Sequence, residues 1–281
     1  MNGPLTAGRS FDELPRERLR QISQGGQATV SLVSSPDGGD EIIVKRFRMA
    51  PGVEAALREE VAALERLRVL VDGATFFDWT IRIPTVVAVS ERPPSLALTR
   101  VPGAPIDTLI QDGWVPPPEL GAALAEVFQR YWQTSGRPLG DVNLTNLMCS
   151  PETRQLAIID PGLPSDVFEL CDEDRRFYPA SRDLGCLVHQ VLSTNVSLHL
   201  KRRASVAARL EFVRHLIRIC VRAEQDAPGF VAEIGACAAA HLARVSGGGV
   251  LQSAWRRAVR GVAQRALAEE LVLLRRAATC R

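Results

Sequence analysis

Residues 140–148 read GDVNLTNLM, and after Cys149 a polar turn, SPETRQ (150–155), leads into LAIIDPG (156–162). Leu156–Ile159 has the length and composition of a buried strand, and Asp160-Pro161-Gly162 behind it is an acidic turn. A loop followed by a strand that returns beside it brings Asp141, Asn146 and Asp160 to one loop mouth. Phosphoryl transfer needs a carboxylate to orient the attacking hydroxyl or accept its proton, and hard oxygen ligands for the magnesium that neutralises the phosphates. Taken singly, the same residues are common turn formers, so it is their order and spacing that carry the reading.

Outward from this stretch, composition narrows the class. A chain of 281 residues, 46% hydrophobic, can fill the core of one large domain or two modest lobes. The formal net charge is +2, from 34 basic and 32 acidic residues, so no overall positive field points to nucleic acid or an anionic membrane. KRR (201–203) and WRRAVR (255–260) then read as solvated helix faces. Cys149, Cys171, Cys186, Cys220, Cys237 and Cys280 are scattered without a C-x-x-C pair, which fits reduced thiols. The opening MNGPLTAGRSFDELPRERLR lacks the apolar core of a signal peptide, and no run of 18 apolar residues occurs. The expectation is a cytoplasmic protein with neither a nucleic-acid nor a membrane partner. His189, His199, His215 and His241 all lie far along the chain from Asp141 and read as packing or surface residues.

Through about residue 100 the pattern is strand-like, in ATVSLVS (28–34), EIIVKRF (41–47), TVVAVS (85–90) and SLALTRV (95–101). PDGGD (36–40) predicts a hairpin turn between the first two. One amphipathic helix interrupts them, with Val53, Leu57, Val61, Leu64 and Leu67 on one stripe. VPGAP (101–105) ends this part, and a helix opening at Pro118 begins a mainly helical remainder, with further helices expected over 182–223, 228–245 and 251–277. The expected division is a lobe over 1–100 and a second over 101–281.

Only Lys45 and Lys201 are lysines, in a chain that otherwise uses arginine. Lys45 lies mid-strand among apolar residues, where a compact ammonium fits between phosphates and a buried carboxylate better than a guanidinium fork does.

Asp, four residues, Asn, then Asp-x-Gly after a short strand resembles the catalytic loop and metal-binding turn of the protein-kinase-like superfamily. GDVNLTN, which opens on Gly-Asp instead of Arg-Asp, is most similar to the aminoglycoside phosphotransferase and bacterial lipopolysaccharide-kinase branches. The resemblance spans about residues 20–190. It implies an α+β, two-lobed fold: a small antiparallel β lobe with one helix, a mainly α lobe, and ATP and Mg2+ between them. By the same resemblance Asp141 is the catalytic base, Asn146 and Asp160 hold magnesium, and Lys45 reaches the phosphates while pairing with a helical glutamate.

Of Glu54, Glu59, Glu60 and Glu65, Glu60 shares the face of Leu57, Val61 and Leu64 and is the first choice, with Glu59 the second. Ser23-x-Gly25-x-x-Ala28-x-Val30 resembles the glycine-rich hairpin over the phosphates, with Ser23 and Ala28 at glycine positions. The backbone of Arg100 and Val101 takes the place of the adenine-pairing linker. Asp183 resembles the helix aspartate that braces the catalytic loop, and an N-cap is the alternative.

Leu139 stands where relatives carry histidine, Asn143 where protein kinases carry a lysine, and Pro161 in the middle of the metal-binding turn, which it should stiffen. Only about 22 residues separate Asp160 from Asp183, little room for a long activation loop. Three readings remain open: a kinase for a hydroxyl-bearing small molecule, the first choice; an atypical protein Ser/Thr kinase; and a nucleotide-binding pseudokinase scaffold. Transfer of AMP is a fourth on which the residues are silent.

Overall fold

The computed structural model describes residues 19–24, 28–33, 41–162, 179–198, 203–244, 268–269, 271–273 and 276. Gly25, the PDGGD turn and most of the helix expected over 251–277 lie outside the described residues.

The N-terminal lobe is an antiparallel sheet in the order β1-β2-β3-β7-β6, formed by β1 (Leu19–Gln24), β2 (Ala28–Val33), β3 (Ile42–Phe47), β6 (Val86–Glu91) and β7 (Pro94–Thr99). Alternation sets its faces: Ile43, Lys45, Leu96 and Leu98 point to one side, Val44 and Ala97 to the other. Helix α1 (Val53–Val71) starts after Gly52, whose φ of 78° suits glycine. The whole apolar stripe read from the sequence is buried, with Leu57 and Leu67 at 0% exposure. Burying each such side chain contributes about 1.5–3 kcal/mol against the ordering cost.

A second sheet runs β4-β5-β10-β9-β8. It takes in a short hairpin that the sequence pattern does not reveal, β4 (Thr75–Phe76) and β5 (Trp79–Arg82), together with β8 (Ala104–Pro105), β9 (Leu147–Ser150) and β10 (Gln155–Ile158). β5 pairs with β10 in parallel, Thr80 opposite Gln155 and Arg82 opposite Ala157. The strand that leads to Asp160 is therefore held on one side by its own hairpin partner β9 and on the other by chain that follows α1.

The rest is helical: α2 (Ile106–Gln111), α3 (Pro118–Ser135), α4 (Pro179–Leu198), α5 (Arg203–Arg222) and α6 (Ala227–Arg244). α3 begins on Pro118 and stops at Gly136, whose φ is 62°. Its Leu120, Leu124, Phe128 and Tyr131 are fully buried at the centre of the core. The stretch 182–223, read from the sequence as one helix, is two. An unbroken helix of that length would extend about 60 Å and leave most of its apolar face in water, whereas α4 and α5 pack against each other.

Gly103 leaves β7 with a φ of 100°, and a Cβ there would lie 2.3 Å from the Cys149 carbonyl oxygen on β9. Gly103→Ala should therefore lower the free energy of unfolding by about 2 kcal/mol or more, measured by urea denaturation.

Candidate active site

Lys45, on β3, stands opposite Val30 and Leu96 and points toward α1. Its ammonium donates to both carboxylate oxygens of Glu60 at 2.9 Å and to Oδ1 of Asp160 at 2.6 Å. Glu60 is only 5% exposed. Burial opposes the charge on Lys45, but Glu60 and Asp160 outweigh it and hold the ammonium protonated well beyond its ordinary range. Burial and the charge of Asp160 push the Glu60 carboxyl up, against the pull of Lys45. Glu59 faces elsewhere, accepting from Arg66 at 2.8 Å and from Arg137 at 3.0 Å. Arg66 also donates to the hydroxyl of Tyr131 on α3, at 3.2 Å.

The acidic turn and the 140–146 loop are bonded to each other. Asp141 N–H donates to the Gly162 carbonyl at 2.9 Å, and Gly162 N–H donates to the Leu139 carbonyl at 2.6 Å. Gly162 has a φ of 124°, and a Cβ there would come within 3.1 Å of the Glu60 Cα, so this turn lies directly on α1. Asn146 donates through Nδ2 to the Asp141 carbonyl at 3.0 Å and to its Oδ2 at 3.1 Å. Asn143 folds inward, its Oδ1 accepting the N–H groups of Thr145 and Asn146 at 2.9 Å and the Thr145 hydroxyl. It acts here as an internal cap of the loop. Burial, then the charge of Asp160, raises the Asp141 carboxyl above its ordinary value, partly offset by Asn143, Asn146 and Lys45.

Asp183 is the fifth residue of α4, not its cap. It is fully buried and accepts from Leu139 N–H at 2.6 Å, Gly140 N–H at 3.0 Å and Trp132 Nε1 at 2.8 Å. Sequence left its role open, and three donors converging on one carboxylate close the question. Burial outweighs these bonds and the nearby Arg182, and its pKa is pushed up to about 6.

Lys45, Asp141, Asn146 and Asp160 share the floor of a cavity of about 680 Å³. Its walls are apolar, formed by Ile22, Ala28, Val30, Ile43, Leu98 and Met148 among others, and Thr99, Arg100 and Val101 close its back. Ser23 stands opposite Val30 in the β1–β2 ladder, and Gly25 lies outside the described residues. Arg100 donates its N–H to the Glu41 carbonyl at 2.9 Å, and its guanidinium pairs with the Glu41 carboxylate. Val101 N–H makes no hydrogen bond among the described residues.

A five-stranded antiparallel sheet with one helix, a strand lysine bonded to that helix's glutamate, and a braced Gly-Asp loop bonded to an Asp-x-Gly turn beside a cavity together decide the architecture. The fold is protein-kinase-like. No family model matches the chain, and no curated protein matches it by sequence. Solved structures resemble it at low identity. They include a Mycobacterium tuberculosis protein, Rv3197, in complex with erythromycin (16% identity, TM-score 0.40, 92% of this chain and 78% of that one). The kinase domain of PknI from the same organism aligns at 17% identity and a TM-score of 0.42 (61% of this chain, 68% of that one). The kinase domain of maize sucrose-induced receptor kinase 1, bound to AMP-PNP, aligns at 13% identity and a TM-score of 0.45 (96% and 98%). The assignment of the fold rests on the chain's own geometry.

Two polar groups near the site were not singled out from the sequence: Arg137, which reaches Glu59 from just before the catalytic loop, and Trp132, which donates to Asp183. Neither belongs to a spacing that stands out in the sequence. The histidines stay clear of the cavity: His189 stacks on His241 with ring centroids 5.8 Å apart, His241 Nε2 lies 2.9 Å from Cys186 Sγ, and His215 packs where Gly121 leaves room. His199 lies outside the described residues. No described helix is long and apolar enough to cross a membrane.

Because the Asp183 pKa is raised on folding, its contribution to stability is fully present below about pH 4 and is lost as pH rises through about 6. The difference in unfolding free energy between wild type and Asp183→Asn, followed by denaturation from about pH 4 to 7, should therefore move against wild type as pH rises. A difference that moves the other way would overturn this assignment.

Proposed function

We propose that this protein is an ATP- and magnesium-dependent phosphotransferase that moves the γ-phosphate to a hydroxyl group, with a small molecule as acceptor. The observation that carries the reading is the position of Lys45: one ammonium held between Glu60 and Asp160 on the floor of a cavity that also presents Asp141 and Asn146.

In this reading residues 1–100 supply the nucleotide lobe and 101–281 the catalytic one. The apolar walls would take the adenine, with Val101 N–H as donor and Arg100 left with only its carbonyl to offer, since its N–H is already bonded. Ser23, Gly25, Ala28 and Val30 would cover the phosphates, and Lys45, fixed by Glu60, would contact them.

The donor set suits magnesium. Asn146 turns its Nδ2 to Asp141, which leaves its Oδ1 for a cation, and Asp160 is a third exposed. The described residues hold no group of three or more His, Cys, Asp or Glu placed to bind a metal, and magnesium characteristically takes few protein ligands, filling its shell with phosphate oxygens and water. When bound there, it would offset the charge of the phosphates.

Asp141 would accept the proton of the attacking hydroxyl as the new O–P bond forms and the bond between the γ-phosphorus and the bridging oxygen of ATP breaks, releasing ADP. Its raised pKa brings a carboxylate closer to the range useful to a general base. Asn143 occupies itself with capping the loop, in place of a cation that would steady the transferred phosphate. That substitution, with the short span from Asp160 to Asp183, favours a small acceptor over a protein regulated through a long loop.

The test is a thermal-shift titration with ATP, with and without magnesium, followed by a screen of hydroxyl acceptors. Wild type should be stabilised by ATP in a magnesium-dependent manner, and Asp160→Ala should lose that dependence. Asp141→Asn should keep binding while turnover falls about 10²–10⁴-fold. Absence of any nucleotide shift in the wild type would sink the proposal.

A further inference from the structure

Besides the buried Arg182–Asp183 pair on α4, the described residues of the helical part hold a second largely buried ion pair, for which the proposed chemistry has no use. Arg209, on α5, has no exposed surface, and its Nε donates to Asp107 Oδ1 at 2.6 Å while one terminal nitrogen donates to the Asp107 carbonyl at 3.3 Å. The other carboxylate oxygen of Asp107 accepts from Gln111 Nε2 at 2.6 Å, so the side chain is fixed at both ends.

Asp107 stands in the first turn of α2, a few residues beyond the strand that ends at Thr99. Its backbone N–H donates to the carbonyl of Leu144 at 3.1 Å, inside the catalytic loop. The N–H of that same Leu144 donates to Gln190 Oε1, on α4, at 3.2 Å. Both backbone groups of one loop residue are thus held from two helices, two positions before Asn146. A small cavity of about 30 Å³, lined by Asp107, Leu144, Thr145, Gln190 and Val191, marks this junction. Thr145 also lines the large cavity, so the junction is one side chain removed from the cleft.

An ion pair buried to this degree, with Arg209 at 0% and the Asp107 side chain at 13% exposure, is a poor way to gain stability, because desolvation consumes most of the attraction and apolar replacements of similar size frequently do as well. What such a pair does supply is position: a guanidinium fork bonded to both the carboxylate and the carbonyl of one residue leaves that residue little freedom.

We infer that Arg209 is a positioning residue for the phosphotransfer site: by clamping Asp107 from behind, it fixes Leu144 and with it the aim of Asn146 into the cleft. This rests on the phosphotransferase reading. It assigns to α5, more than 60 residues beyond the catalytic loop, a direct part in holding the magnesium ligand.

The experiment is a magnesium titration of the ATP-dependent thermal shift, at fixed ATP, on the full chain and on Arg209→Lys, Arg209→Met and the double variant Asp107→Asn/Arg209→Met, each first checked for fold by circular dichroism. Arg209→Met leaves Asp107 buried without this partner and can fail to fold; the double variant leaves neither charge and keeps the question open to test. The magnesium concentration at half-maximal shift should rise about tenfold in the double variant, as when an outer-shell support of a metal ligand is removed, and by less in Arg209→Lys. The shift given by ATP without magnesium should stay as in wild type. Folded variants that titrate with magnesium as wild type does would overturn the inference and leave Arg209 a packing residue. A wild type with no magnesium-dependent shift would instead remove the phosphotransferase reading, and this inference with it.

Discussion

The ammonium of Lys45 ties together three parts of the chain that lie far apart in sequence. It bonds a helix residue 15 positions away and a turn residue 115 positions away. A charge in so dry a place is tolerable only when paired, and removing one partner of such a pair leaves the other uncompensated at a cost of about 3–5 kcal/mol. The surrounding geometry follows from this. β3 must present Lys45 inward, α1 must turn Glu60 toward the sheet, and Gly162 must lack a side chain so that the acidic turn can lie on the helix. One ammonium does not balance two close carboxylates with Asp141 beside them: burial first, and the charge of Asp160 after it, raises the Glu60 and Asp141 carboxyls above their ordinary values. A divalent cation arriving with a polyphosphate would complete the charge pattern.

Much of this was legible in the sequence because it depends on local periods. The 3.6-residue repeat that buries Leu57, Val61 and Leu64 also decides between Glu59 and Glu60, since adjacent residues lie about 100° apart on a helix. Lys45 was conspicuous as one of two lysines among so many arginines, and the Asp141, Asn146 and Asp160 spacing is a short-range pattern. Glu59 serves elsewhere: its bond to Arg137, with that of Arg66 to Tyr131, fastens α1 to the rest of the molecule.

What stayed hidden was either too short to show a period or set by distant partners. β4 and β5 have two and four residues, fewer than alternation needs to stand out. The division of 182–223 into α4 and α5, which pack on each other, is set by burial against partners distant in sequence, which the spacing within either segment does not reveal. The bond between Arg209 and Asp107 spans 102 residues, and in a chain rich in arginine nothing local marks Arg209 as a buried one. The role of Asp183 lay between these cases: its position hinted at a brace, but only the convergence of Leu139, Gly140 and Trp132 on its carboxylate separates brace from cap.

The parallel ladder between β5 and β10 has a mechanical corollary. In a two-lobed molecule joined by a single covalent strap, one half can both swing and twist about that strap. Here the chain passes from the first sheet toward α2 through residues 99–105, and a second attachment is made by hydrogen bonds at 80–82 and 155–157. Two separated attachments define a line, as two pins define the axis of a door. Rotation about that line works against side-chain bonds such as Lys45–Asp160 and Arg137–Glu59, whereas rotation about any other axis must also shear the backbone ladder, so this line is the softest coordinate along which the mouth of the cleft can open.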